Sequence, residues 1–355
     1  MTRSDEASIA HLGEAGILAR ILPVAGLVEM SGQLTGFTVD VGPGDDAAVA
    51  SLPPGARLVA TTDTMIEGHD FLRTATTPEC IGHKAAVQNL ADIAAMGARP
   101  VALLASVSAP SNTSVQVLEG LTRGMVRRAA RDGAELIGGD LGGAEQLTIT
   151  VTALGALPAE QAPVLRSGAQ PGDVVAVGSE QIGRSAAGLA VVLGGFARVV
   201  SDGEDDDAGA TLQVDGLRAQ SALDVLRWHN APDPELSLGW HGGQSAHAMM
   251  DLSDGLLRDG GRIAAASGVI LDLDPGLLAG DVAAVEDLAR ELGAGPLAWV
   301  LDSGEEHAML ATFAPGAVPP GFRQIGTVRA CEAREEPAIL YDGQRPDLQG
   351  FDHFA

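Results

Sequence analysis

The chain has 355 residues, 46% of them hydrophobic and 3% aromatic, with a formal net charge of −25. That apolar content in a chain this long builds more than one buried core. The acidic surplus repels a phosphodiester backbone and few rings are available to stack on bases, so nucleic-acid binding is excluded as the main role. Cys80 and Cys331 are too far apart in sequence to form a metal-ligand pattern. The polar start Met1-Thr2-Arg3-Ser4-Asp5-Glu6 has no signal-peptide core, and no apolar run reaches the ~18 residues of a membrane span. The expectation is a two-domain cytoplasmic protein that does not engage a membrane.

In chain order, residues 8–22 read as an amphipathic helix and 57–62 as a buried strand ending at Asp63. Residues 78–97 form the next helix, with Pro78 at its start, Gly97 at its stop and Pro100 beyond. A strand is expected at 101–108, a helix at 112–132 opened by Ser111 or Asn112, and a short strand at 134–140 ending in Gly-Gly-Asp. Residues 146–157 alternate as a strand does. The turn Gln170-Pro171-Gly172-Asp173 opens a strand at 174–178. The Pro- and Gly-rich stretch near 158–172 divides a domain of residues 1–160 from one of residues 161–355. Helices follow at 183–195, 216–229, 256–267 and 281–293, and strands at 269–273 and 307–313. The acidic run 201–209 reads as a solvated loop. The alternation of helices and strands specifies a layered α/β or α+β architecture.

Five segments carry carboxylates where strands end or helices begin. They are Gly42-Pro43-Gly44-Asp45-Asp46, Thr61-Thr62-Asp63-Thr64, Lys84 to Ala98, Gly138-Gly139-Asp140-Leu141-Gly142-Gly143, and Met250-Asp251-Leu252-Ser253-Asp254-Gly255. Within the third, Asn89 and Asp92 lie three residues apart and share a helix face. Each segment has a plain alternative: an acidic turn, a strand leaving the core, an exposed helix acid, a glycine turn or a helix N-cap. Jointly they suit a hard cation that takes oxygen ligands. Bare carboxylates at contact repel by about 4 kcal/mol per pair at an effective dielectric near 20, so such a cluster requires cations or protons. The glycine segment is not a Walker A loop, because no Gly-Lys-Ser/Thr follows.

The order of these segments resembles the thiamine-monophosphate kinase family, within the superfamily of aminoimidazole-ribonucleotide synthetase. The resemblance runs from Gly13-Glu14 to Phe351-Asp352-His353-Phe354-Ala355, nearly the whole chain. It implies a two-domain PurM-like fold: an N-terminal mixed-sheet domain that pairs across a homodimer, and a C-terminal α/β domain. It implies ATP as co-substrate, thiamine monophosphate as acceptor and Mg²⁺ as cofactor. Carried over by motif, Asp46, Thr61, Thr62, Asp63, Asp92, Asp140, Asp251 and Asp254 are Mg²⁺ ligands. Arg123, Gly139, Asp140, Arg166 and Ser253 are ATP contacts, and Asp70, Glu305 and Phe351 face the acceptor. Transfer would be direct and in line, with no protein nucleophile.

The chain departs from the family at Asp302-Ser303-Gly304-Glu305-Glu306-His307-Ala308-Met309, where the family reads Ser-Gly-Gly-Glu-Asp-Tyr-Glu-Leu: Glu305 is kept, Glu306 stands for Asp and His307 for Tyr. His69 and His307 are the tempting general bases, yet an acceptor phosphate oxygen is already ionised and needs little deprotonation. Selenophosphate synthetase is disfavoured because the N-terminal glycine segment has no Cys, and a hydrogenase-maturation dehydratase because there is no C-terminal Cys tail. A non-catalytic acidic cation-binding protein explains the charge but not five ordered motifs.

Overall fold

Two units, each discontinuous in sequence, make up the computed structural model, which describes residues 8–26, 36–43, 47–200, 210–302 and 304–347. Unit 1 takes Met1–Leu90, Pro100–Ala159 and Ala197–Asp215; unit 2 takes Ala91–Arg99, Glu160–Phe196 and Gly216–Ala355. The elements in chain order are α1 (Ile9–Ala25), β1 (Thr38–Val41), β2 (Val49–Ser51), β3 (Arg57–Ile66), α2 (Pro78–Ala95), β4 (Arg99–Ala109), α3 (Val115–Asp132), β5 (Glu135–Gly143) and β6 (Thr148–Leu157). There follow β7 (Val174–Val177), α4 (Arg184–Leu193), β8 (Ala197–Val200), β9 (Thr211–Val214), α5 (Ala222–Asn230), α6 (Ser237–His241), β10 (Ala248–Asp251) and α7 (Leu256–Ser267). The chain closes with β11 (Val269–Leu273), α8 (Pro275–Leu292), α9 (Pro296–Leu301), β12 (Met309–Phe313), β13 (Arg323–Ala330) and β14 (Ala338–Tyr341). This is the α/β class the sequence specifies. Among the described residues, no helix is long and apolar enough to cross a membrane.

In unit 1 a four-stranded mixed sheet runs in the order β3-β6-β4-β5. β3 and β6 are antiparallel over ten residues, from Arg57↔Leu157 to Ile66↔Thr148, and β4 and β5 are parallel. Ile149, Val151 and Ala153 of β6 are buried while the threonines between them are not, the period-2 pattern of a sheet with one covered face. Helices α2 and α3 cross closely because glycine lines the crossing. A Cβ on Gly82 would land on the Leu121 carbonyl oxygen, and one on Gly124 on that of Glu79. α3 begins at Val115, capped by the Ser114 side chain accepting from Gln116 N at 3.2 Å, rather than at Ser111 or Asn112.

Unit 2 holds a six-stranded sheet, β10-β12-β7-β13-β11-β14. Its described pairs are antiparallel except β11 with β14. β7 is buried at every residue, and Val175, Val177, Met250, Leu271, Leu310 and Ile325 join one core with Leu256 and Ile263 of α7.

Several expected boundaries move. β3 does not stop at Asp63 but runs to Ile66, and it is largely exposed rather than buried. β5 continues through the glycines to Gly143. α5 starts at Ala222, not 216, and α8 starts at Pro275, not 281. In α8 the Asp274 side chain accepts from Gly276 N and Leu277 N, and Pro275 takes the first turn, so Asp-Pro-Gly is a helix start and not a linker.

Candidate active site

Asp63 lies within β3, where its Oδ1 accepts from Thr64 N at 2.8 Å and its Oδ2 from the Gln88 side chain of α2. Thr62 Oγ1 donates to the Val151 carbonyl at 3.0 Å and accepts from Thr152 Oγ1 at 3.1 Å; Thr61 pairs with Ala153 in the ladder. Asp70 Oδ2 accepts from Ile66 N at 2.6 Å, closing the turn after β3. Asp140 is on β5, opposite Ser106 of β4, and is exposed. β3 and β5 are the two edges of the sheet, so Asp63 and Asp140 lie about 14 Å apart in the pairing direction.

Gly139 is glycine for a packing reason: a Cβ there would fall on the Ala105 carbonyl oxygen of the adjacent strand. Arg123, on α3, faces Glu79 with Nη1 3.9 Å from Oε2, and Glu79 also pairs with Arg127. Asn89 is buried and donates to the Ala85 carbonyl at 3.0 Å, while its Oδ1 has no hydrogen-bond partner among the described residues. A groove of 1070 Å³ opens in unit 1 across the sheet, with Leu58, Thr152 and Asp140 in its wall.

In unit 2 the Asp251–Gly255 segment is built around a residue that motif reading passes over. Asp259, in the first turn of α7 and fully buried, turns its Oδ2 back to accept from the backbone N–H groups of Ser253, Asp254 and Gly255 at 2.9, 2.9 and 3.1 Å. Its Oδ1 takes Arg262 Nη1 at 2.7 Å, and Arg262 Nη2 reaches Asp254 Oδ2 at 2.5 Å. Burial first, then the neighbouring Asp251 charge, push the Asp259 carboxyl up to about 7 against the pull of the Asp254 N–H and Arg262. The signal was a spacing: Asp259 and Arg262 stand three apart on the helix that follows the motif. Arg258 Nε lies 3.9 Å from Asp254 Oδ2.

Glu305, Glu306 and His307 splay three ways. Glu305 and His307 take the left-handed backbone, with φ of 56° and 53°, a strained state for such side chains. Glu305 Oε2 lies 3.3 Å from His229 Nδ1. Glu306 is fully buried; its Oε1 accepts from Ser185 N at 2.9 Å at the start of α4, and its Oε2 from Trp228 Nε1 at 2.7 Å. Arg184 stacks on Trp228 with its guanidinium carbon 3.2 Å from the ring centroid, and burial lowers its pKa. His307 Nδ1 lies 3.1 Å from Asp251 Oδ2, both residues buried. Ser185 Oγ is 3.2 Å from His229 Nδ1, the nitrogen that also faces Glu305, so these three do not form a Ser-His-Glu relay, which needs the two ring nitrogens separately.

Arg166 is exposed, and its carbonyl accepts from Ser267 Oγ at 3.3 Å. Asp92 is half-buried on α2. Asp46, Phe351 and the 201–209 run lie outside the described residues. Among the described residues no three His, Cys, Asp or Glu side chains gather as one metal-holding group.

Residues 44–157 match the model for AIR synthase related protein, N-terminal domain. The thiamine-monophosphate kinase of Mycobacterium tuberculosis is 38% identical over 345 residues, covering 96% of this chain and 91% of that protein. The crystal structure of thiamine-monophosphate kinase from Stenotrophomonas maltophilia aligns with a TM-score of 0.73 and 27% identity, over 94% of this chain and 98% of that one. AaThiL complexed with AMPPCP and TMP aligns with a TM-score of 0.72 and 25% identity, over 99% and 100%. This chain belongs to the thiamine-monophosphate kinase family.

Proposed function

We infer that this chain transfers the γ-phosphoryl group of ATP to thiamine monophosphate, yielding thiamine diphosphate. The observation that carries the reading is the match over 96% of this chain, at 38% identity, to a thiamine-monophosphate kinase. The alignment along all of the AaThiL complex with AMPPCP and TMP supports the same pair of substrates.

The side chains proposed for the cofactor present only oxygen, as carboxylate or hydroxyl, and such a set fits Mg²⁺. Asp46, Thr61, Thr62, Asp63, Asp92, Asp140, Asp251 and Asp254 would hold it. When bound, Mg²⁺ supplies the positive charge that offsets repulsion between the nucleotide and acceptor phosphates. Arg123, Gly139, Asp140, Arg166 and Ser253 serve the nucleotide; Asp70, Glu305 and Phe351 serve the acceptor. A carboxylate at Glu305 suits the acceptor's cationic and N–H-bearing rings, and His229 steadies it. Neither histidine first considered serves as the base: His307 is committed to Asp251, and the acceptor oxygen is ionised already. Transfer is direct and in line between oxygens held by the protein.

The working form is a cytoplasmic homodimer. Its basis is the open edge strands β3 and β5 and the apolar groove beside them, and a single-mass monomer by light scattering would count against it. The functional test is ADP release with thiamine monophosphate as acceptor, in the wild type and in Asp63→Asn and Asp92→Asn. Both variants are expected to lose at least about 100-fold in kcat while keeping the wild-type circular dichroism. Near-normal turnover in both would end this assignment of ligands.

A further inference from the structure

We propose that His307 is a positioning residue for Asp251: its ring N–H fixes one carboxylate oxygen so that the other is presented to the divalent cation. The proposal rests on the reading of Asp251 as a cation ligand and adds to it a residue that the motif comparison marked only as a departure.

Four observations carry it. His307 Nδ1 lies 3.1 Å from Asp251 Oδ2, and both residues are nine-tenths buried or more, with relative exposures of 2% and 3%. Among the described residues no other hydrogen bond reaches the Asp251 side chain, so the orientation of that carboxylate depends on this ring. The ring is itself held. His307 N donates to the Leu252 carbonyl at 2.8 Å and Leu252 N to the Ala308 carbonyl at 2.9 Å, directly beyond the Asp251↔Met309 pair of β10 and β12. Finally, His307 sits at φ 53°, a costly conformation that the surrounding structure sustains.

A carboxylate rotates about its last torsion in a broad, two-fold well. One hydrogen bond from a fixed donor selects an orientation, leaves Oδ1 uncommitted, and withdraws little charge from it. Partners that orient ligating side chains in this manner affect metal affinity by about 10- to 100-fold. A bulky apolar residue at 307 would fill the space and supply no donor.

The test compares Mn²⁺ binding, read by electron paramagnetic resonance in the presence of AMPPCP, in the wild type, His307→Asn, His307→Gln, His307→Phe and Asp251→Asn. The amide nitrogen of Asn superposes on Nδ1 and Asn tolerates a positive φ, so His307→Asn retains the donor. Gln is equally polar but places its donor one bond further out. His307→Asn is expected to stay within about threefold of wild type, while His307→Gln and His307→Phe lose about tenfold in Mn²⁺ affinity with the acceptor KM unchanged. Asp251→Asn should weaken the same site at least as much. Equal binding by His307→Asn and His307→Gln sinks the positioning role alone, even if His307→Phe fails to fold. Unchanged binding by Asp251→Asn removes the ligand reading, and the proposal with it.

Discussion

Glu306 shows how one substitution in a motif is absorbed. With no exposed surface, it satisfies the Ser185 N–H in the first turn of α4 and the indole of Trp228. An anion at a helix N-terminus also gains from the helix dipole. Truncation in Glu306→Ala leaves two buried donors without partners, so we expect a loss of about 2–4 kcal/mol in urea unfolding. Glu306→Gln, which keeps an acceptor, should lose less. The sequence named Glu305 and Asp251 from their motifs. It could not separate the roles of Glu305, Glu306 and His307, because neighbouring letters do not reveal that two left-handed residues send three successive side chains in three directions. Asp259 went unnamed because its work is done on backbone N–H groups, which have no letter.

At the scale of elements, periodicity located the long helices and the core strands, and it failed where local chemistry was ambiguous. The helix expected from residue 281 begins instead at Pro275, capped by Asp274. β13, Arg-Gln-Ile-Gly-Thr-Val-Arg-Ala, is half polar and short of apolar letters, although its Ile325 and Val328 are core residues. The Gly138–Gly143 run looks like a flexible turn but is strand, because backbone comes so close at Ala105 that only glycine fits. The α2–α3 crossing follows the same rule. In Gly124→Ala the new methyl would meet the Glu79 carbonyl, and α3 would have to move off α2. The expected cost is about 1–3 kcal/mol, measurable as a lowered unfolding midpoint, even though alanine is the better helix former. A stabilised variant would mean that the crossing is looser than described.

Over the whole molecule, composition and the order of motifs made the fold class legible. The discontinuity of the two units was not, since residues 91–99 and 197–215 each belong with chain far from them in sequence. The formal charge of −25 is a molecular property with its own consequence. Self-repulsion is screened as the Debye length falls from ~30 Å at 0.01 M salt to ~8 Å at 0.15 M. The melting temperature of the ligand-free protein should therefore rise over that range of NaCl, by about 2–4 °C for each kcal/mol recovered. A melting temperature that falls with salt would show that specific ion pairs, such as Arg262 with Asp254, outweigh the net field.

The turn held by Asp259 also limits what the Asp251–Gly255 segment can offer a ligand. Three successive amides at the head of a helix would ordinarily make a ready seat for a phosphate, but here a carboxylate of the same chain already sits in it. The Ser253 carbonyl is spoken for as well, by Glu305 N at 2.8 Å. Ser253 therefore has only its hydroxyl to offer, and if it contacts the nucleotide as proposed, an analogue of ATP should sense the loss of that one oxygen in Ser253→Ala as fully as it would sense the loss of the residue.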